Sequence, residues 1–389
     1  SAGFSSLMAR YLGAGEQDEA RGIFAGAHGL SLALCLVLLL AFSLFGRAGV
    51  DLAARGDAAL AELAMPYLQI TVCSAAFTFL LSLHSRALQN QGHIRFMTWM
   101  SLIVSIANIC FNYAFIVGMG LGVAGSAFGT VAAQAVGLSL IYAFGLSKPT
   151  RLTLSDFREW RLVSGWRSIL ALGASHSLGL LSVSIASLSI IALLQRLNVE
   201  NYGATVSAYG IVTRLQTFAF LPLLGLSQAM QSITGNNHGA RLGARVAASL
   251  KTALCTALLY GLVIQLCFFL FQDELGYLFV SDAQVVGELA AILPVVFLTF
   301  FLTGPLMIIS AHFQAIGDAR MSILLGLSKP YLFVIPLMFL LPLAFGEIGL
   351  WLAWAMGDLL LFIVTGVILL RRWKSRKLSW GLFDASAIP

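Results

Sequence analysis

Apolar runs long enough to cross a bilayer, separated by short polar loops, recur along the whole chain. A helix rising 1.5 Å per residue needs about 20 predominantly apolar residues to span the hydrocarbon core. The runs that meet this length predict ten spans, near 23–46, 65–88, 96–118, 122–146, 168–195, 203–234, 247–271, 284–313, 321–345 and 348–370. Ser1 to about Leu12 reads as the tail of one more helix. The expected fold class is an all-α polytopic membrane protein.

Composition narrows the function. Of the 389 residues 59% are hydrophobic and 10% charged, and mean hydropathy is +0.90. Soluble domains are about a quarter charged, so a soluble enzyme, a nucleic-acid reader and a disordered scaffold are all excluded. The net charge of +6 is too small and scattered for nucleic acid. Cys35, Cys73, Cys110, Cys255 and Cys267 all fall inside apolar runs without a CxxC pair, which reads as packing rather than disulfide or metal chemistry. Basic residues are distributed by side. One set of loops carries Arg10, Arg21, Arg86, Arg95, the basic residues from Lys148 to Arg167, Arg241, Arg245, Lys251, Arg320 and the group from Arg371 to Lys377. The alternate loops hold only Arg47, Arg55 and Arg196. The positive-inside rule makes the first set, and the C-terminus, cytoplasmic.

The chain also repeats itself. GFSSLMARYLGAG at residue 3 aligns with GLSQAMQSITGNN at 225, QNQGHIR with QAIGDAR, and LGVAG at 121 with IGLWL at 348. The paired copies enter from the same side, so the repeat is parallel, with its axis along the membrane normal. Two six-helix lobes are expected: residues 1–146, a cytoplasmic linker 147–166, residues 167–371 and a cytoplasmic tail 372–389. The second copy has far more sequence ahead of its matched glycine than the first. The expectation is therefore a twelve-span protein, of which about ten and a half spans are present. The first helix and most of the second would be missing.

Charges at bilayer depth are costly and point to function. Of the seventeen acids only Asp358 lies deep in a span. Asp358 and Arg214 lie about 15 and 16 Å from the outer face, and Lys329 about 12 Å from the inner one, counting residues along each helix. The three sit near one depth in the second lobe. They read either as a neutralised pair that fixes packing or as a cluster that senses substrate or proton charge. In the first lobe, Asn108 and Asn112 are four apart on one helical face, with Thr130 on the next helix and Tyr67 on the one before. His84, His176 and His312 stand near helix ends and read as structural. Pro330, Pro336 and Pro342 within one span favour bending. The 27 phenylalanines offer ring faces to cations, though most would face lipid.

The segments AYGIVTRLQTFAFLPLLGLSQAMQSITGNNHGAR, GFSSLMARYLGAGEQDEAR, FQAIGDAR, GVAGSAFGTVAAQ and IGLWLAWAMGD together resemble the multidrug and toxic compound extrusion (MATE) family. The branch is similar to the bacterial MepA-like exporters. The resemblance implies two bundles facing a cleft open alternately to either side of a bacterial inner membrane. It further implies a monomeric, cation-coupled antiporter, driven by Na+ or H+ and needing no cofactor, that exports cationic amphiphilic drugs or metabolites. Family members that bind their cation in the first lobe use an acid on the first helix, a Tyr on the fourth, an Asn and an Asp four apart on the fifth and a Thr on the sixth. Tyr67, Asn108 and Thr130 match; Asn112 departs, an amide in place of the acid. Oxygen ligands suit a hard cation, and the rival reading is hydrogen-bond glue between helices. Other members carry a second-lobe Glu and Asp on helices seven and ten. Those spans here hold only Glu288, at an outer end. A lipid-linked precursor flippase would need arginines deep in the first lobe, and none is there. An intramembrane enzyme would need a catalytic motif, and HExxH and GxSxG are both missing.

Overall fold

The computed structural model describes residues 1–53, 58–147, 162–197, 199–376 and 382. They are helical throughout, with no strand among the described residues. Two compact units emerge, Ser1–Leu170 and Ala171–Pro389. The first holds α1 (Ala2–Ala14), α2 (Gln17–Ala53), α3 (Ala58–Cys73), α4 (Ala75–Asn90), α5 (Ile94–Tyr113, extended by a π turn at Ala114–Gly118) and α6 (Gly122–Ser147). Helix α7 (Trp166–Arg196) starts at the end of this unit and runs into the second. There follow α8 (Tyr202–Gly239), α9 (Gly243–Leu270), the short α10 (Gln272–Leu275), α11 (Ala283–Val296), α12 (Phe300–Ala315) and α13 (Ala319–Leu327). A π-helical segment, Ser328–Val334, leads into α14 (Ile335–Leu340), α15 (Pro342–Phe345) and α16 (Glu347–Arg376).

Eight of these stretches are long and apolar enough to cross a membrane, and two bent pairs bring the number to ten. α3 and α4 meet at 46°, α11 and α12 at 48°. The breaks sit at Ser74 and around Thr299, 225 residues apart, which is also the spacing of the repeat's Gln89 and Gln314. Both copies of that motif end their helix on a left-handed glycine, Gly92 at φ 86° and Gly317 at φ 88°. A side chain would be strained there, so the glycine is fixed by the turn.

Lipid tails are as apolar as leucine, so helices in a membrane associate through close packing rather than through expulsion of water. α6 shows how. Gly125, Gly129, Ala133 and Gly137 recur every four residues and are all buried. This stripe lets α5 approach until a methyl group at Gly125 would lie 2.9 Å from the Phe115 carbonyl carbon. The second unit packs around larger side chains, among them Ile190, Leu194, Leu223, Leu250, Leu293 and Phe297, each under 2% exposed. On its outer surface α9 presents Leu258, Leu259, Leu262, Val263, Leu266 and Leu270, the side chains a lipid-facing helix carries.

Most of the predicted linker 147–166 lies outside the described residues. Its end does not float in solvent: the Trp166 indole N–H donates to the Gly26 and Leu162 carbonyls at 2.8 and 2.6 Å. A Cβ at Gly26 would fall 1.9 Å from the Ser164 carbonyl oxygen, so α2 and this segment touch backbone to backbone. The predicted tail also differs at its start. α16 continues through Arg372, Trp373 and Lys374 to Arg376, where Arg372 pairs with Asp318 at 3.2 Å and lies over the Phe313 ring. Residues 377–381 and 383–389 are outside the described residues.

Candidate functional site

In the first unit the small-residue stripe of α6 brings the predicted polar positions together. The Asn108 amide N–H2 donates to Thr130 Oγ1 at 3.3 Å, and the Asn112 amide donates to Asn108 Oδ1 at 3.2 Å. Asn112 Oδ1 is buried and has no hydrogen-bond partner among the described residues; a methyl group on Gly129 would sit 2.1 Å from it. Glycine at 129 is what leaves room for that amide. One helical turn beyond Thr130, Gln134 donates to Thr78 Oγ1 at 3.0 Å, which prolongs the polar line onto α4. Tyr67 stands apart. It is 37% exposed, and its recorded hydrogen bond is the one its carbonyl accepts from the Thr71 hydroxyl. No hydrogen bond joins its phenol to Asn108, Asn112 or Thr130 among the described residues.

In the second unit the three membrane charges separate. Asp358 on α16 is 4% exposed, and its Oδ1 lies 2.6 Å from Lys329 Nζ. Its Oδ2 accepts hydrogen bonds from Thr299 at 3.2 Å and Thr303 at 3.1 Å. Arg214, by contrast, is exposed on α8 and forms no ion pair with Asp358 or any other described acid. The carboxylate is therefore Lys329's, and the expected three-residue cluster is a pair plus a separate cation. The local structure explains the pairing. The π segment begins at Ser328, and π turns concentrate at functional sites because they re-aim a side chain. Thr299 marks the break between α11 and α12, with Thr303 one turn on. One carboxylate thus ties an unbroken helix to two interrupted ones. Leaving either charge alone at this depth would be costly, whereas the paired and hydrogen-bonded set is tolerated.

Of the three histidines predicted to be structural, His84 and His312 pack among the helices. His84 bonds the Leu80 carbonyl at 2.9 Å and meets the His28 ring edge-on at 5.0 Å; His312 is 1% exposed beside Phe313. His176 lies exposed on α7. Glu288 accepts a hydrogen bond from Asn201 at 3.3 Å and, with Glu200 and Glu347, lines a cavity of about 370 Å³ in the second unit.

A family model described as MatE matches residues 1–114 and 177–340. The chain belongs to the MatE family. Members of this family are transporters rather than enzymes, and the MatE chain described here is a multi-pass membrane protein. It is 24% identical to a FAD transporter of Shewanella oneidensis, over 93% of this chain and 80% of that protein. It is also 24% identical to the rabbit (Oryctolagus cuniculus) multidrug and toxin extrusion protein 2, over 83% of this chain. It spans 53% of that rabbit protein's length. Among solved structures, an outward-facing multidrug resistance MATE family transporter of the MOP superfamily superposes with a TM-score of 0.85 at 24% identity. That match covers 97% of this chain and 84% of the other. A MOP superfamily transporter from Pyrococcus furiosus gives 0.81 at 25% identity, with the same two coverages. The fold is thus shared over 97% of this chain.

Proposed function

We propose that the chain is the transport body of a cation-coupled exporter. It expels cationic amphiphilic drugs or metabolites by alternating access, driven by inward Na+ or H+ flow. The observation that carries the reading is the amide–hydroxyl line of the first unit. Asn112, Asn108 and Thr130 pass hydrogen bonds along one direction and leave a buried carbonyl oxygen, Asn112 Oδ1, unspent. Neutral oxygens suit a hard cation, and an uncompensated buried acceptor gains by binding one. Family membership and the names of the rabbit extrusion proteins support export of toxic organic compounds. The Lys/Arg asymmetry supports a cytoplasmic C-terminus, and the resemblance to bacterial exporters supports a bacterial inner membrane. The test is accumulation of ethidium in a drug-sensitive bacterium expressing the full-length protein, with and without a sodium or proton gradient. The expected result is reduced accumulation that disappears when the driving gradient is collapsed. Unchanged accumulation with the protein present in the membrane would overturn the reading.

A further inference from the structure

Within its predicted spans the second unit holds a cation that no described acid neutralises. Asp358 is committed to Lys329 and two threonines, which leaves Arg214, twelve residues into α8, exposed and without an acid among the described residues. At 1.5 Å per residue that is about 18 Å along the helix, near the middle of a hydrocarbon core about 30 Å thick. An arginine at such a depth does not face hydrocarbon; it faces water or a partner charge. The rest of its helical face agrees. Gly203, Ser207, Arg214 and Thr217 are all exposed, at spacings that place them along one side of α8. The Ser207 and Thr217 hydroxyls donate to the Gly203 and Thr213 carbonyls of their own helix at 2.9 and 2.8 Å, so Arg214 is the group on this side that keeps donors for a ligand. Immediately below it, Phe218 and Leu221 are 70% and 53% exposed, offering apolar surface next to the guanidinium.

We infer that Arg214 is a recognition site for the acid group of the transported molecule, with Phe218 and Leu221 holding its apolar body. A guanidinium presents a planar fork of donors that fits a carboxylate through two parallel hydrogen bonds. Among the exported amphiphiles, those that carry a carboxylate besides their cationic group are thereby preferred. This inference rests on the exporter reading for its setting, and adds to it a preference that a purely cationic dye does not probe.

The test compares a fluoroquinolone, which has both a carboxylate and an ammonium group, with its ethyl ester, which keeps only the ammonium. Equilibrium binding of each to the purified chain in lipid nanodiscs is measured for the unmodified protein, Arg214→Gln and Arg214→Lys. The acid is expected to bind at least tenfold tighter than the ester. Arg214→Gln abolishes the difference and Arg214→Lys retains part of it. Because Arg214 is exposed, both variants should melt with the unmodified protein, which separates lost recognition from lost folding. Equal binding of acid and ester by the unmodified chain, weak or strong, overturns the inference, as does a preference that survives Arg214→Gln. Ethidium efflux stays the separate measure of export: its loss condemns the exporter reading, while the acid-over-ester ratio alone judges Arg214.

Discussion

Replacing Asp358 by asparagine removes the negative charge and leaves Lys329 facing an amide. Opposite charges 2.6 Å apart attract by about 6 kcal/mol at an effective dielectric of 20, before the cost of drying both groups is subtracted. That subtraction is substantial for side chains only 6% and 21% exposed. The measurable quantity is what remains when one partner is lost, about 3–5 kcal/mol for a buried pair. The asparagine oxygen still accepts from Thr299 and Thr303, but this turns its amide hydrogens toward the ammonium, donor against donor. At about 2–4 °C per kcal/mol for a unit of this size, the thermal midpoint in detergent should fall by roughly 10 °C. Adding Lys329→Gln removes the stranded charge and should recover most of that loss. The two effects are then strongly non-additive, as contacting residues are. Transport separates the remaining readings: a double variant that folds and exports marks the pair as structural, and one that folds without exporting assigns coupling to the carboxylate. A single Asp358→Asn variant that melts within about 1 kcal/mol of the unmodified protein would refute the reasoning, because no buried pair would then have been broken.

Two further outcomes follow from close approaches. Gly129→Ala places a methyl group 2.1 Å from Asn112 Oδ1 and should displace that amide, with a cost of about 1–3 kcal/mol in stability and loss of any sodium dependence of efflux; unaltered sodium dependence would argue against a cation at Asn112. Gly26→Ala drives a Cβ to within 1.9 Å of the Ser164 carbonyl, so the segment around Trp166 should lift from α2 and expose a cleavage site to limited proteolysis, and an unchanged digestion pattern would show that the backbone contact is not maintained in the membrane.

The spans were legible because bilayer thickness forces a length on every apolar run. Ten predicted spans correspond to ten observed ones, with ends displaced by a few residues where helices extend past the hydrocarbon. The repeat was legible too, since Gly92 and Gly317 occupy turns that only glycine adopts without strain. Of the sites, the Asn108, Asn112 and Thr130 line was readable from helical spacing. Depth along a helix placed Asp358, Lys329 and Arg214 at one level but said nothing of azimuth, so it did not tell which cation the acid would meet. Thr299 and Thr303 went unnoticed because they are uncharged, although their four-residue spacing is the same signal that singled out the two asparagines. The docked end of the linker was hidden for a different reason: glycine at 26 has no side chain whose chemistry announces a partner.

The π segment gives Lys329 a further significance, one of phase. Each residue gained or lost in a helical turn rotates everything beyond it by about 100°. Were Ser328–Val334 wound as an ordinary α-helix, the ammonium would swing by an angle of that order relative to the following turns, and the 2.6 Å contact with Asp358 would open. Winding and charge pairing in this span are consequently one variable. A probe of the local pitch would report the ionic contact.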